Sequence, residues 1–252
     1  MKVLVTFAVD AEFAPWRKRH DFRREMVGGS IVVYSASIGS ANVDVLLTGM
    51  GLPALRPGLH LLLARNPQIL ISSGLAGGLS SSLRVGDIVA ARSLAMVQGG
   101  ERVRSRRKLV EIAEQCGARA VDLFLTSPRI VSQSQYKKAM ATFGDVVEME
   151  SYHILATASG AQTASVAIRS ISDTQDEDLP LDFEKAITPW GTVNARQLVL
   201  QIVRSPHRIP SLIKFGRGTE RATKRLADFL DKYLETITAV SPQWAADEVS
   251  AS

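Results

Sequence analysis

Apolar positions along this chain recur with two different periods. Short runs rich in Val, Ile and Leu have the length and β-branched content of strands: "KVLVTFAV" (2–9), "SIVVYSAS" (30–37), "VDVLLTGM" (43–50), "QILISSG" (68–74) and "DIVAARSLAM" (87–96). Elsewhere the period lengthens to that of a helix. "ALRPGLHLLLARNP" (54–67) sets Leu59, Leu62 and Leu63 on one face and stops at Pro67; Pro57 falls in its first turn, where a missing N–H costs least. "RRKLVEIAEQCGA" (106–118), "SQYKKAMATFG" (134–144) and "ESYHILATASG" (150–160) predict three more helices with glycine at or near their ends. "AVDLFLTSP" (120–128), "PRIVS" (128–132), "DVVEM" (145–149) and "TASVAIRSIS" (163–172) predict strands or strand ends. "VNARQLVLQIVR" (193–204) and "TERATKRLADFLDKYLETI" (219–237) predict two further helices, and 241–252 a frayed tail.

Strands alternating with helices predict an α/β fold, a three-layer αβα sandwich around a mixed, mostly parallel sheet. No linker rich in Pro, Gly and Ser and no internal repeat divides the chain, so one domain is expected over 1–240, with a basic helical extension at about 190–240. In such folds ligands sit outside the carboxyl ends of strands. Acidic residues stand at three of these ends: Asp10 and Glu12 after the first strand, Glu148 and Glu150 around Met149 after "DVV", and Asp173 after "VAIRSIS". A solvated turn accounts for one such carboxylate; three strand ends with the same chemistry point to a site.

Composition narrows the classes further. With 252 residues, 46% hydrophobic and 22% charged, the chain is long enough for one large core. Its single cysteine, Cys116, excludes an internal disulfide framework and a Cys-rich metal site, and reads as a small buried or helix-end residue. His20, His60, His153 and His207 have no ligand spacing with one another, so no metal is expected. The first residues lead straight into a strand without the features of a signal peptide, and no apolar run is long enough to span a bilayer; a cytoplasmic location is expected. A net charge of +5 is too small to argue for nucleic acid as a partner. Much of the excess lies in "ERVRSRRK" (101–108), read as a solvated face, and between Arg204 and Arg225.

Four stretches then occur in a telling order: "TGMGLPAL" (48–55), "SSGLAGGLSSSLRVGDIV" (72–89), "VVEMES" (146–151) and "RSISD" (169–173). Together they resemble the purine nucleoside phosphorylase/uridine phosphorylase superfamily, and within it the nucleosidase branch that includes methylthioadenosine/S-adenosylhomocysteine nucleosidase. The resemblance covers about residues 1–180 and implies the nucleoside phosphorylase-like fold, with no metal or organic cofactor. It implies that Glu150 and Met149 contact the ribose, Glu150 holding the 2′ and 3′ hydroxyls, with Glu148 beside them as catalyst or supporting partner. It implies that Asp173, backed by Ser172, delivers a proton to N7 of a purine and that Glu12 activates water. It implies too that Gly49 and Met50, in the first stretch, and Ala76 and Gly77, in "GLAGG", line the substrate space. Ile130 and Val131 stand where the family supplies a base-stacking side chain and a backbone contact, although the family's aromatic is missing here.

Elementary chemistry supports these assignments. Breaking an N-glycosidic bond leaves a cation-like sugar and an anionic base. A carboxylate at the sugar stabilises the cation and grips the diol. An acid at the base makes a neutral leaving group, and such a proton transfer contributes about 10²–10⁴-fold. To remain an acid near neutral pH, Asp173 is expected to sit dry or beside another carboxylate, with Asp176, Glu177 and Asp178 close by in sequence. Glycines at 74, 77 and 78 allow backbone to approach a ligand.

Two nucleophiles remain open. Phosphorolysis needs fixed positive charge, and the family's phosphorylases place an arginine just before the glycine motif, where this chain reads "QILISSG". That absence and Glu12 favour water; Arg56, behind the "GMG" turn, is the candidate phosphate ligand, in which case phosphate would be a co-substrate. The carboxyl third is longer than in the small nucleosidases, and "SPHRIPSLIKF" with "SISD…LP" is similar to the hopanoid-associated branch, which implies an adenosylhopane-like nucleoside with a lipid 5′ substituent. Ile209, Leu212, Ile213 and Phe215 among Arg204, Arg208, Lys214, Arg217, Arg221, Lys224 and Arg225 would suit an anionic membrane surface, or else pack on the core or on a partner subunit. Pro206 and Pro210 are expected to interrupt any long helix there. The resemblance also implies a homodimer. A nucleoside-binding protein without catalysis is the alternative of another class.

Overall fold

The structure, a computed structural model, describes residues 1–29, 31–51, 56–186, 188, 194, 197, 201 and 208–247, with side chains for all but 56, 184 and 241–247. Its framework is a sheet of eleven strands: β1 (Lys2–Phe7), β2 (Arg23–Val27), β3 (Ile31–Ile38), β4 (Ala41–Leu47), β5 (Ile69–Ser72), β6 (Leu75–Gly78), β7 (Ile88–Met96), β8 (Val103–Arg104), β9 (Arg119–Thr126), β10 (Val146–Glu148) and β11 (Ala164–Asp173). The α-helices bounded among the described residues are α1 (Asp10–Arg17), α2 (Arg56–Leu63), α3 (Arg107–Cys116), α4 (Ser134–Met140), α5 (Ser151–Gly160) and α6 (Ile209–Asp247).

Period-2 alternation distributes each central strand between two cores. Val3, Val5 and Phe7 of β1 point to one face while Leu4 points to the other; Ile69 and Ile71 of β5 oppose Leu70 in the same way. The first face is covered by Phe13 and Trp16 of α1, by α3 and by α6; the second by Leu59, Leu62 and Leu63 of α2 and Ile154, Leu155 and Ala158 of α5. This is the α/β arrangement with a mixed sheet expected from the sequence. β1 runs parallel to β4 and β5, and β5 to the first half of β11.

β11 then changes partners. Its second half pairs with β6 and, antiparallel, with β7, so that β11, β6, β10, β9 and β7 close into a ring. At the end of β11 the register slips: Ile171 lies opposite Ala76, but Asp173 lies opposite Gly77. Ser172 is the extra residue, and a bulge of this kind re-aims the side chains around it.

Several expectations are corrected. "PRIVS" is not a strand: the Ser127 hydroxyl donates to Arg129 O at 2.6 Å and accepts from Arg129 N at 3.2 Å, turning the chain out of the sheet. "DAEFAPWR", read only as a strand end bearing acids, forms α1 even with Pro15 inside it. The helix expected at 219–237 begins already at Ile209, because Pro210 falls in its first turn, where it interrupts nothing. Its stripe Ala222, Leu226, Phe229, Leu230, Tyr233, Leu234 and Ile237 is buried, and its helical backbone continues to Asp247 into the segment expected as a tail. "VNARQLVLQIVR" lies outside the described residues apart from Asn194, Gln197 and Gln201. Cys116 is a buried free thiol at the end of α3. No described helix is long and apolar enough to cross a membrane.

Candidate active site

Strand ends at the centre of the fold open onto a cavity of about 200 Å³. Its walls bring together Glu12, Met50, Ala76, Gly77, Ile130, Val131, Glu148, Met149, Glu150, Ser172 and Asp173. Gly49 does not line it; its N–H donates to Ala8 O at 2.8 Å and carries the chain from β4 to Met50. Arg56 begins α2, and its side chain lies outside the described residues. Among the described residues no cluster of His, Cys, Asp and Glu has the form of a metal site.

Glu12 is held by backbone. It sits in the first turn of α1, where its Oε2 accepts from the N–H groups of Ala8 (2.9 Å) and Val9 (3.3 Å), and its Oε1 from Leu75 N–H (2.9 Å). Gly74, at φ +142°, makes room for it: a Cβ there would lie 3.0 Å from Oε1 and 3.1 Å from Oε2. Burial raises the Glu12 pKa, against the opposing pull of Arg169 and the three N–H groups.

β10 delivers the other two glutamates. Glu148 accepts from Glu150 N–H (3.0 Å) and Ser151 N–H (2.7 Å), satisfying the free donors at the start of α5, and also from the Thr126 hydroxyl. Its Oε2 takes the guanidinium of Arg169 at 2.8 Å. Burial pushes the Glu148 carboxyl up, but Arg169 and these hydrogen bonds outweigh it, and its pKa falls below the ordinary value. Glu150 has weaker support, from Gly51 N–H at 3.1 Å and Arg169 at 3.6 Å. Burial, then the charge of Glu148, push its pKa up to about 8. As a group, these carboxyls retain a proton near neutral pH that separate glutamates would have lost.

On the opposite wall Asp173 is buried, the first of the two expected settings; its charged neighbour is an ammonium and not a second carboxylate, since Lys137, fully buried, donates to Oδ2. The Ser172 hydroxyl lies 2.6 Å from Oδ1 and 3.2 Å from Ala76 O. Gly77 leaves space for Asp173, since a Cβ would stand 3.2 Å from Oδ2. The acids that follow find partners elsewhere: Asp176 pairs with Lys138 (2.9 Å), Glu177 with Lys214 (2.6 Å), and Asp178 accepts from Ser134 N–H (2.6 Å). Ile130 offers no aromatic surface, but two rings do lie on the cavity wall, Phe183 and Phe215, with centroids 5.5 Å apart. A second cavity, of about 670 Å³, adjoins the first through Ser172, Asp173 and Phe215 and is bordered by Lys214, Arg217 and Arg221.

Sequence reasoning missed Arg169, Lys137, Phe183 and Phe215. Arg169 had a signal, a charge inside an otherwise apolar strand. Lys137 had none that separates it from Lys138.

Residues 2–204 match the phosphorylase superfamily, and the chain belongs to it. Among solved structures, a 5′-methylthioadenosine/S-adenosyl homocysteine nucleosidase from Campylobacter jejuni superposes with a TM-score of 0.71 at 16% identity, over 94% of this chain and 99% of that one. A futalosine hydrolase mutant of Helicobacter pylori gives 0.68 at 16%, over 94% and 99%. A putative methylthioadenosine nucleosidase from Weissella paramesenteroides gives 0.69 at 21%, over 94% and 97%. At these identities the likeness is one of fold.

Proposed function

We propose that this member of the phosphorylase superfamily cleaves the N-glycosidic bond of a purine nucleoside, adenine nucleosides foremost, with water as the nucleophile. The supporting observation is the meeting of Glu12, Glu150 and Asp173 in one cavity. In this reading the ribose packs on Met149 with its hydroxyls on Glu150, and the base lies toward Asp173 and Ser172. As the bond breaks, the carboxylate excess stabilises the cationic sugar. Asp173 protonates N7, and Glu12, with its proton affinity raised by burial, takes a proton from the attacking water. Glu12, Glu148 and Glu150 outnumber the buried guanidinium of Arg169, so a phosphate dianion would enter against like charge. Arg129, at the rim, is already engaged.

The test is base release from adenosine, inosine, methylthioadenosine and S-adenosylhomocysteine, each with and without phosphate. Release without phosphate is expected. Release only with phosphate would make the protein a phosphorylase and Arg56 the first residue to substitute. Binding without release from any of them would favour a sensor.

One observation favours a lipid-linked substrate. At the start of α6, Ile209 and Ile213 are 41% and 49% exposed beside Lys214 and Arg217, and Phe215 of the same turns reaches the cavity. A 5′-lipid adenosine of the adenosylhopane type would place its tail at such a surface, with the protein in peripheral contact with the membrane. A protein that ignores anionic vesicles in flotation and leaves such a nucleoside uncut would remove this reading. A homodimer belongs to the same proposal and is checked by light scattering.

A further inference from the structure

Lys137 is the only buried lysine among the described residues. Helix α4 turns it inward, while its neighbour Lys138 stays exposed. An ammonium out of water costs several kcal/mol unless each N–H finds an acceptor. Here three acceptors meet three donors: Asp173 Oδ2, Glu177 O at 2.8 Å and Thr174 O at 3.3 Å. The two carbonyls fix the loop after β11. The remaining bond reaches Asp173, the carboxylate on the base side of the cavity. Stability alone does not call for this, since a buried ion pair is often no better than an apolar pair of the same volume.

We propose that Lys137 positions Asp173 and supplies, through it, the proton that the leaving base takes. The proposal rests on the nucleosidase reading of the cavity. As the C1′–N9 bond breaks, its electron pair goes to the purine. N7 takes a proton by way of Asp173, whose carboxylate takes one from the Lys137 ammonium and ends as it began. Lys137 is left as the neutral amine. Water adds to C1′ and gives its proton to Glu12, which releases it to solvent; Lys137 regains a proton from solvent, with the second cavity beside Asp173 as the path. Nucleoside and water become ribose and base, with no net change in protons. The pair thus holds, one hydrogen bond from Asp173, the proton that a carboxylate alone would have to draw from water.

The experiment compares an adenine nucleoside with p-nitrophenyl β-D-ribofuranoside, whose phenolate leaves without a proton. Lys137→Met and Asp173→Asn are each expected to lower adenine release by about 10²–10³-fold, and nitrophenolate release by no more than about threefold. Lys137→Arg keeps a cation that does not surrender its proton, so adenine release stays low even where the melting temperature returns to the wild-type value. A second measurement needs no variant: wild-type activity on adenosine should decline at high pH through an ionisation absent from the nitrophenyl profile. Equal losses on both substrates in a folded Lys137→Met protein, undiminished adenine release, or wild-type profiles of one shape would overturn the proposal. A wild-type protein that releases neither product would instead refute the nucleosidase reading beneath it.

Discussion

On its ribose side the cavity sets three carboxyls, the half-buried Glu12 and the buried Glu148 and Glu150, around the buried guanidinium of Arg169; on its base side the carboxylate of Asp173 meets the buried ammonium of Lys137. The first arrangement cannot be fully ionised at low cost. Glu148 takes the best share of Arg169 together with two backbone N–H groups and a hydroxyl, so its charge is secure. Glu150 and Glu12 absorb the imbalance as raised proton affinity. The second arrangement is balanced. The difference matches the two halves of the proposed reaction, because a cation-like sugar suits an excess of negative charge and a departing base suits a proton held in reserve.

Glu12→Gln should show the largest effect. Water activation is needed whatever the leaving group, so kcat should fall by about 10²–10⁴-fold for adenosine and for p-nitrophenyl riboside alike. That common loss is the counterpart of the purine-restricted loss expected on the base side. A loss confined to adenosine would erase the distinction between the two ends.

Arg169→Met tests the imbalance itself. Removing the one buried cation that the described residues place on the ribose side leaves three carboxyls facing one another, and breaking a buried ion pair on one side costs about 3–5 kcal/mol. Urea unfolding should register a loss of this size at pH 7 and a smaller one at pH 5, where the stranded carboxyls take up protons more readily. An equal loss at both pH values would mean that Arg169 acts through packing.

The two ends were also unequally legible in the sequence. Glu12, Glu148, Glu150 and Asp173 could be found because an apolar strand running into an acid is a pattern of period and polarity, which a sequence displays. Arg169 was half visible, a charge where β11 should have been apolar throughout. Lys137 was not: in "SQYKKAM" nothing separates the buried lysine from the exposed one beside it, and only the way α4 packs decides between them. The bulge at Ser172 is a property of pairing, which no single strand reveals. Phe183 and Phe215 stand far along the chain from Ile130, and only tertiary folding puts their rings on the same wall. The alternation of strands and helices predicted the layers, whereas α1 was missed because Pro15 and its basic end conceal a short helix.

Glu150→Gln offers a gentler test through stability. A carboxyl with a pKa of about 8 in the folded protein and an ordinary value of 4.5 keeps, when folded, a proton that the unfolded chain gives up between those pH values. Unfolding therefore releases a proton in this window, and stability falls as pH rises from 4.5 to 8. Glutamine does not titrate. The variant should melt close to the wild type near the lower pH and above it near the upper one; a gain of about 1–2 kcal/mol corresponds to about 2–8 °C for a chain of this size. Parallel melting curves across the window would place the extra proton elsewhere in the cluster.

The smallest effect is expected at the aromatic wall of the base side. Phe215 and Phe183 meet at 43° with centroids 5.5 Å apart, and both border the cavity. A ring contact of this kind contributes about 0.5–1.5 kcal/mol beyond its buried area, so Phe215→Ala should raise KM for a purine nucleoside by about 2–12-fold. The melting temperature should hardly move, because α6 is anchored by Leu226, Leu230 and Tyr233 on another part of its surface. If Phe215 only stacks, substrate and transition state lose the same contact and kcat stays near the wild-type value. If kcat falls along with affinity, the ring is doing more than stacking. Phe215 borders the second cavity together with Asp173 and Ser172, so its removal would open the Lys137–Asp173 pair further to water and weaken proton delivery at the same time.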